Sequence, residues 1–428
     1  MHELTRLIRE DMKPALGVTE PGAIAYAVAA ARERADGEIR KVTVALNSGM
    51  YKNAYTCGIP NSDEYGNLYA AALGAVAADA SLGLESLAGI TEEDNEKARQ
   101  LVSEGRVEAV LDHMGSCITI DARVETEKDV CSVHIRGSHT NIQWIEQNGK
   151  VVYGEKNEQT EEETSGEEEE ALIHRYSLKE MLDYVRQVPT EEISFIREAF
   201  SMNMDLLEAS ALSPRTTVTA MLIRENGNMI ISGDARKTAQ LLCNGAIEGR
   251  VLGLAKPAMS ITGSGAHGII ATMPLFAFYE VNYEVLDDDF LLRATALSFL
   301  ITMYIKEYSG RLSAFCGCGI AAGTGMACGL GYLRNGGEKE LTMIIQNMAS
   351  GLTGMICDGG NQGCAMKGIV AVDAAFRAVD MAMQGVCIDS RHGINGRTPE
   401  DTMRHMGMIA SPGMVKTEEV IVDIMKKK

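Results

Sequence analysis

The sequence predicts an α+β chain, with a small N-terminal α+β domain carrying an antiparallel sheet over residues 1–176 and a large all-helical domain over 177–428. Three observations point there. Alternating apolar and polar residues mark strands only before residue 154. From Ser177 onward the apolar positions recur at helical spacing almost without interruption. Between them, Gly154 to Glu170 holds nine glutamates and one lysine, a run that cannot bury apolar surface and reads as a mobile loop.

In chain order, residues 1–36 read as two helices broken at Lys13-Pro14-Ala15-Leu16-Gly17, the second capped by Thr19 with Glu20 and Pro21 in its first turn. Lys41 to Leu46 alternates as a strand. A loop through Gly58-Ile59-Pro60 and Asp63 to Asn67 precedes a helix from Leu68 to Ala78. After a helical stretch at 92–104, Cys117 to Glu125, Val130 to Arg136, Asn141 to Glu146 and Lys150 to Tyr153 carry strand character. Asn148-Gly149 supplies a hairpin turn between the last two. Helices are expected at 178–187, 190–210, 235–253, 288–308, 320–334, 338–356, 367–384 and 399–409. Thr398-Pro399-Glu400-Asp401 caps the last.

Hydrophobic content of 46% with one Trp and eight Phe implies an aliphatic, Met-rich core. A formal charge of −19 argues against nucleic acid or an anionic membrane as partner. The N-terminus has no apolar signal region, and no apolar run reaches roughly 18 residues. A soluble, cytoplasmic protein is expected, and its apolar helices suit a homodimer. Ten cysteines then read as free thiols, ligands or redox groups before disulfides.

The chemistry-bearing stretches are glycine-rich. Phe315-Cys-Gly-Cys-Gly-Ile320 and Ile356-Cys-Asp-Gly-Gly-Asn-Gln-Gly-Cys-Ala-Met-Lys367 offer Cys316 or Cys318 together with Cys357 and Cys364. Thiolates drawn from separate turns suit an iron–sulfur cluster better than a zinc ribbon, and glycine lets backbone amides approach inorganic sulfide. Small thiols packed in an Ala/Gly core are the plain alternative. The remaining cysteines, Cys57 among them, read as core residues.

Ile261-Thr-Gly-Ser-Gly-Ala-His-Gly-Ile269 places Ser264 and Gly265 before an apolar helix, where backbone amides can cradle a carboxylate, and offers His267 as a proton shuttle. No strand in βαβ context precedes it, so it is not a dinucleotide fingerprint. Thr19 and Glu20 at a helix start, and Lys367 after the cysteine loop, are further candidates. Each also has an ordinary structural explanation.

These blocks, with Leu16-Gly-x-Thr-Glu-Pro21, Lys52-Asn53, Gly58-Ile59-Pro60 and Ala71-Ala72-Leu73-Gly74, resemble over nearly the whole chain the iron–sulfur L-cysteine desulfidase family. That family is related to the α-chain of bacterial iron–sulfur L-serine dehydratases and includes many uncharacterised members. The resemblance implies a [4Fe–4S] cluster on Cys316 (Cys318 its rival), Cys357 and Cys364, with one iron open to a small amino-acid substrate. It implies α,β-elimination of L-cysteine to sulfide, pyruvate and ammonia, or of a serine-type substrate. Glu20, His267 and Lys367 become the catalytic candidates, and Thr19, Asn53, Ser264 and Gly265 the substrate-binding ones. Two positions depart from the pattern. Val18 stands where the family often has Cys, and Ala266 where a polar side chain is expected. Both bear on substrate choice more than on the cluster. A non-catalytic thiol or ligand-binding protein is the reading from a different class. Pyridoxal-phosphate chemistry fits poorly, because the glycine-rich loops sit in helical surroundings.

Overall fold

A computed structural model of the chain describes residues 1–156, 171–310 and 312–428. Beyond Lys156, the acidic run read as a loop lies outside the described residues. The N-terminal part holds α1 (Glu3–Asp11), β1 (Lys13–Leu16), α2 (Thr19–Arg32), β2 (Ile39–Leu46), α3 (Ser48–Ala54), α4 (Gly66–Val76) and α5 (Glu92–Ser103). Strands β3 (Val107–Leu111), β4 (Thr119–Thr126), β5 (Val130–Arg136), β6 (Ile142–Gln147) and β7 (Lys150–Gly154) follow. The sheet runs β3-β2-β4-β5-β6-β7 and is antiparallel except for the β2–β3 pair, which is parallel.

The alternation in β4 and β5 does what period-2 patterning requires. Ile120, Ala122, Val124, Cys131, Val133 and Ile135 are buried on one face. Ala-rich α2 and α4 pack there, with Ile24, Val28 and Leu73 fully buried. Each such branched side chain contributes roughly 1.5–3 kcal/mol of burial.

The helical part comprises α6 (Leu178–Gln187), α7 (Thr190–Ile193), α8 (Arg197–Leu212), α9 (Thr217–Glu225), α10 (Ala235–Val251), α11 (Gly265–Val281) and α12 (Asp288–Ser309). It continues with α13 (Gly323–Leu333), α14 (Glu338–Leu352), α15 (Gly363–Met383), α16 (Pro399–Ala410) and α17 (Val415–Met425). A short strand, β8 (Pro257–Ser260), precedes α11. Helix α11 is apolar on nearly every side and is buried through the middle of the bundle, as such a helix must be. No helix among the described residues is long and apolar enough to cross a membrane.

Several local expectations need correction. The break at residues 13–17 is not a simple loop, because Lys13–Leu16 pairs antiparallel with β8. Thr19 is not the cap of α2. Val18 holds that position, and the Thr19 hydroxyl instead donates to the Gly263 carbonyl at 3.4 Å. The expected helix at 190–210 is interrupted by a 3₁₀ turn at Ser194–Ile196. Strands β3 and β8 and helices α9 and α17 were not anticipated, being short or weakly periodic.

The two large hydrophobic cores are not divided strictly by sequence. Leu4, Ile8, Met12, Val18 and Cys57 pack into the helical core, so the first sixty residues reach across to the cysteine-bearing helices.

A candidate thiol-lined active site

The two cysteine stretches meet through their backbones. Phe315 and Ile356 form an isolated antiparallel bridge. Cys316 N–H donates to the Met355 carbonyl at 3.0 Å and Cys357 N–H to the Ala314 carbonyl at 2.7 Å, which sets the two cysteines side by side. Cys318 opens a π turn, Cys318–Ala322, that leads into α13. Such one-turn irregularities recur at functional sites. Cys364 lies in the first turn of α15 and folds back on the Gly359 carbonyl.

The four thiols feel one another electrically. The neighbouring Cys318 thiol holds Cys316 down to about 7, and the Gly319 amide and Lys367 act in the same direction. Cys318 is pushed up, first by that same pairing, then by burial and by Cys364 and Cys357. Burial raises Cys357, against the opposing pull of Lys52, and pushes Cys364 up to about 11. Among the described residues no group of three or more His, Cys, Asp or Glu side chains is disposed to hold a metal ion. The thiols are therefore not a preformed mononuclear centre, where every donor must reach a single point (a zinc–sulfur bond is about 2.3 Å). They are four buried or half-buried sulfurs with cationic neighbours.

The N-terminal part supplies the opposite wall. Asn53 Nδ2 donates to Glu20 Oε1 at 2.9 Å, and the Asn53 Oδ1 faces Cys357 Sγ at 3.9 Å. The loop after Cys357 presses directly on this wall. Gly360 N–H donates to the Asn53 carbonyl at 3.1 Å, and Gly359 lies at φ +93°, where a methyl group would stand 2.3 Å from the Lys52 carbonyl. Only glycine fits there. Cys57 is a core residue as expected and also borders this wall, its thiol donating to the carbonyls of Asn53 and Gly360 at 2.7 and 3.1 Å.

His267 closes a third side. A methyl group added at Gly317, between Cys316 and Cys318, would lie 2.6 Å from His267 Nε2. The Thr262 hydroxyl donates to the Ile261 carbonyl at 2.7 Å and so accepts from His267 Nδ1 at 2.6 Å. That leaves the Nε2 lone pair facing the cysteine turn. Burial, followed by the charges of Lys306 and Arg250, depresses the imidazole to about 3, so it stays neutral. Thr262 sits at φ 52°, a costly conformation for a β-branched residue, and its amide donates to Asp11 of α1.

Two lysines differ in kind. Lys367 is ion-paired with Asp358 and is raised despite its burial, which makes it a fixed cation beside Cys364 and Cys316. Burial brings Lys306 down to about 8, with Cys357 and Cys318 opposing. Sequence reasoning missed Lys306, Lys52, Arg250 and Cys57. The signal for Lys52 was present, since it is the one cation in the small-residue helix α3, and Lys306 closes the apolar stretch of α12. A separate cavity of about 250 Å³ lies on the sheet, lined by residues that include Asp121, His134, Arg136 and Trp144, and none of the cysteines reaches it.

Thus Cys316, Cys318, Cys357, Cys364, Lys367, His267, Glu20 and Asn53 meet in one region, with Thr19 bonded to Gly263 beside Ser264 and Gly265. A family profile described as "Serine dehydratase alpha chain" matches residues 81–423. A "UPF0597 protein" of Clostridium botulinum (strain Langeland) is 41% identical over 99% of this chain and 98% of its own length. Proteins of the same name are similar too: one from Caldanaerobacter subterraneus subsp. tengcongensis at 38% identity, covering 99% and 98%, and one from Clostridioides difficile at 31%, covering 98% of each.

Proposed function

The chain belongs to the serine dehydratase alpha-chain family, and from that premise we propose that it is a [4Fe–4S]-dependent lyase for a small β-substituted amino acid, with L-cysteine as first substrate and L-serine as second. The observation that carries this reading is the Phe315–Ile356 bridge, which sets Cys316 beside Cys357 with Cys364 a turn away. Cys316, Cys357 and Cys364 would hold the cluster. Cys316 is preferred to Cys318 because the Phe315–Ile356 bridge sets it directly beside Cys357. When bound, the cluster supplies an open iron that acts as a Lewis acid on the β-leaving group.

The chain's own groups do the rest. Elimination removes the α-proton and the β-thiol, giving sulfide and 2-aminoacrylate, which water converts to pyruvate and ammonia. Lys306 lies beside the cysteine turn, its side chain 3.4 Å from where a methyl group on Gly317 would stand, and burial lowers its pKa, so it is our candidate to accept the α-proton. His267, neutral with Nε2 toward the turn, offers a hydrogen-bond acceptor there that orients the substrate without taking its proton. Lys52 and Lys367 offset the negative charge of thiolates in a poorly hydrated site. Glu20 orients Asn53 against Cys357, and we assign this pair to the substrate amine.

Anaerobic purification and reconstitution test the reading. A brown protein that binds iron and sulfide and forms pyruvate and sulfide from L-cysteine supports it. A colourless protein with reactive thiols and no product points instead to a thiol sensor. Substrate choice is probed at Val18, whose Cγ1 would lie 3.2 Å from a methyl group on Gly360 of the cysteine loop. Val18→Cys should shift the ratio of cysteine to serine turnover, and unchanged rates would remove position 18 from the account.

A further inference from the structure

Arg250 lies in the last turn of α10 and is only 5% exposed, yet its Nε has no hydrogen-bond partner. Among the described residues the guanidinium makes no ion pair with any carboxylate. A buried cation without a counter-charge is costly, and proteins keep one only where an anion completes it. The group points at the start of α11, where a methyl group added at Gly265 would stand 2.6 Å from Arg250 Nε. Ser264 makes no side-chain capping bond there, so the first-turn amides of this 17-residue helix rely on another acceptor. His267 and Cys57 both register the charge of Arg250, which places it between the α11 turn and the cysteine loop.

We infer that Arg250, together with the amino-terminal turn of α11, seats the α-carboxylate of the substrate. A guanidinium presents parallel N–H donors that match a planar carboxylate. The helix end adds amides and a favourable dipole. Glu248, two residues earlier on α10, accepts from Gln362 Nε2 of the cysteine loop at 2.8 Å and from the Thr219 amide at 2.7 Å. That bonding ties α10 to the loop and fixes the distance between the carboxylate seat and the thiols. Identifying the anion as an amino acid's carboxylate rests on the elimination reading. The existence of an anion seat does not.

The test uses the full chain, with L-alanine as a substrate analogue lacking a leaving group, L-alaninamide as its carboxylate-free counterpart, and inorganic phosphate as the rival oxyanion. L-Alanine is expected to raise the melting temperature and L-alaninamide to leave it unchanged. Arg250→Lys and Arg250→Met should weaken the L-alanine response about tenfold or more, as loss of a charge-assisted pair does. In reconstituted enzyme the same variants should raise KM for L-cysteine by a similar factor while kcat falls far less. Equal stabilisation by L-alanine and L-alaninamide overturns the proposal. So does a phosphate response that depends on Arg250 where L-alanine gives none, or a folded Arg250→Lys protein with unaltered L-alanine response and KM. An Arg250-dependent L-alanine response without elimination activity retains the seat and removes the elimination reading. Elimination with KM insensitive to Arg250 removes the seat alone.

Discussion

Lys52 Nζ and Glu418 Oε2 stand 2.7 Å apart with side-chain exposures of 0% and 8%, joining α3 to α17 behind the cysteine loop. The same ammonium donates to the Ser313 carbonyl at 2.8 Å and is the cation that Cys357 feels most strongly. One buried lysine therefore fastens the C-terminal helix and sets the charge of the thiol pocket.

Lys52→Met leaves Glu418 charged, buried and unpaired, and should lower stability by about 3–5 kcal/mol. Denaturant unfolding measures this. A Lys52→Met/Glu418→Leu double variant should recover much of the loss. If it proves no more stable than the single variant, the stranded charge is not the cause.

Cys316→Ser, Cys357→Ser and Cys364→Ser should each lose bound iron and sulfide after reconstitution, while Cys318→Ser keeps them. Iron and sulfide analysis decides between Cys316 and Cys318. The reverse result would transfer the first ligand to the π turn.

Gly359→Ala meets both a left-handed backbone and the Lys52 carbonyl. Strain of this kind costs about 1–3 kcal/mol. The variant should melt earlier and hold less iron, because the loop that presents Cys357 and Cys364 must lift from α3. A melting temperature equal to that of the parent would show that the close approach is not maintained in solution.

His267 carries a pH signature in the iron-free chain. Its folded pKa of about 3 lies below the ordinary 6.5, so between these values the unfolded state binds more protons. The stability it contributes is present above 6.5 and is lost as pH falls from 6.5 toward 3. His267→Asn should flatten that part of the stability-against-pH curve, measured by urea unfolding across the range. An unchanged slope would mean the imidazole protonates while folded.

Much of this architecture was readable in the sequence because its signals are local. The period-2 run of β5 and the Thr398-Pro399 start of α16 are signals of this kind. The cysteine loop was also visible, since two thiols flanking Asp-Gly-Gly-Asn-Gln-Gly have few bland explanations. What escaped was whatever depends on a distant partner. Lys13–Leu16 becomes a strand only because β8 lies beside it. Thr19 gives up capping because the Gly263 carbonyl competes for its hydroxyl. Cys57 is core as its pattern suggests, but its contact with Gly360 depends on a loop 303 residues away, and the burial of Arg250 depends on the start of α11 packing against it.

Asn53 meets Cys357 across 304 residues of sequence, and Lys52 meets Glu418 across 366. Contacts spanning so much polypeptide form late, since the longest loops close last. A ribosome has released nearly all of this chain before the pocket has walls. A stop codon just before α17 would spare every cysteine and still strip the buried Lys52 of its partner Glu418.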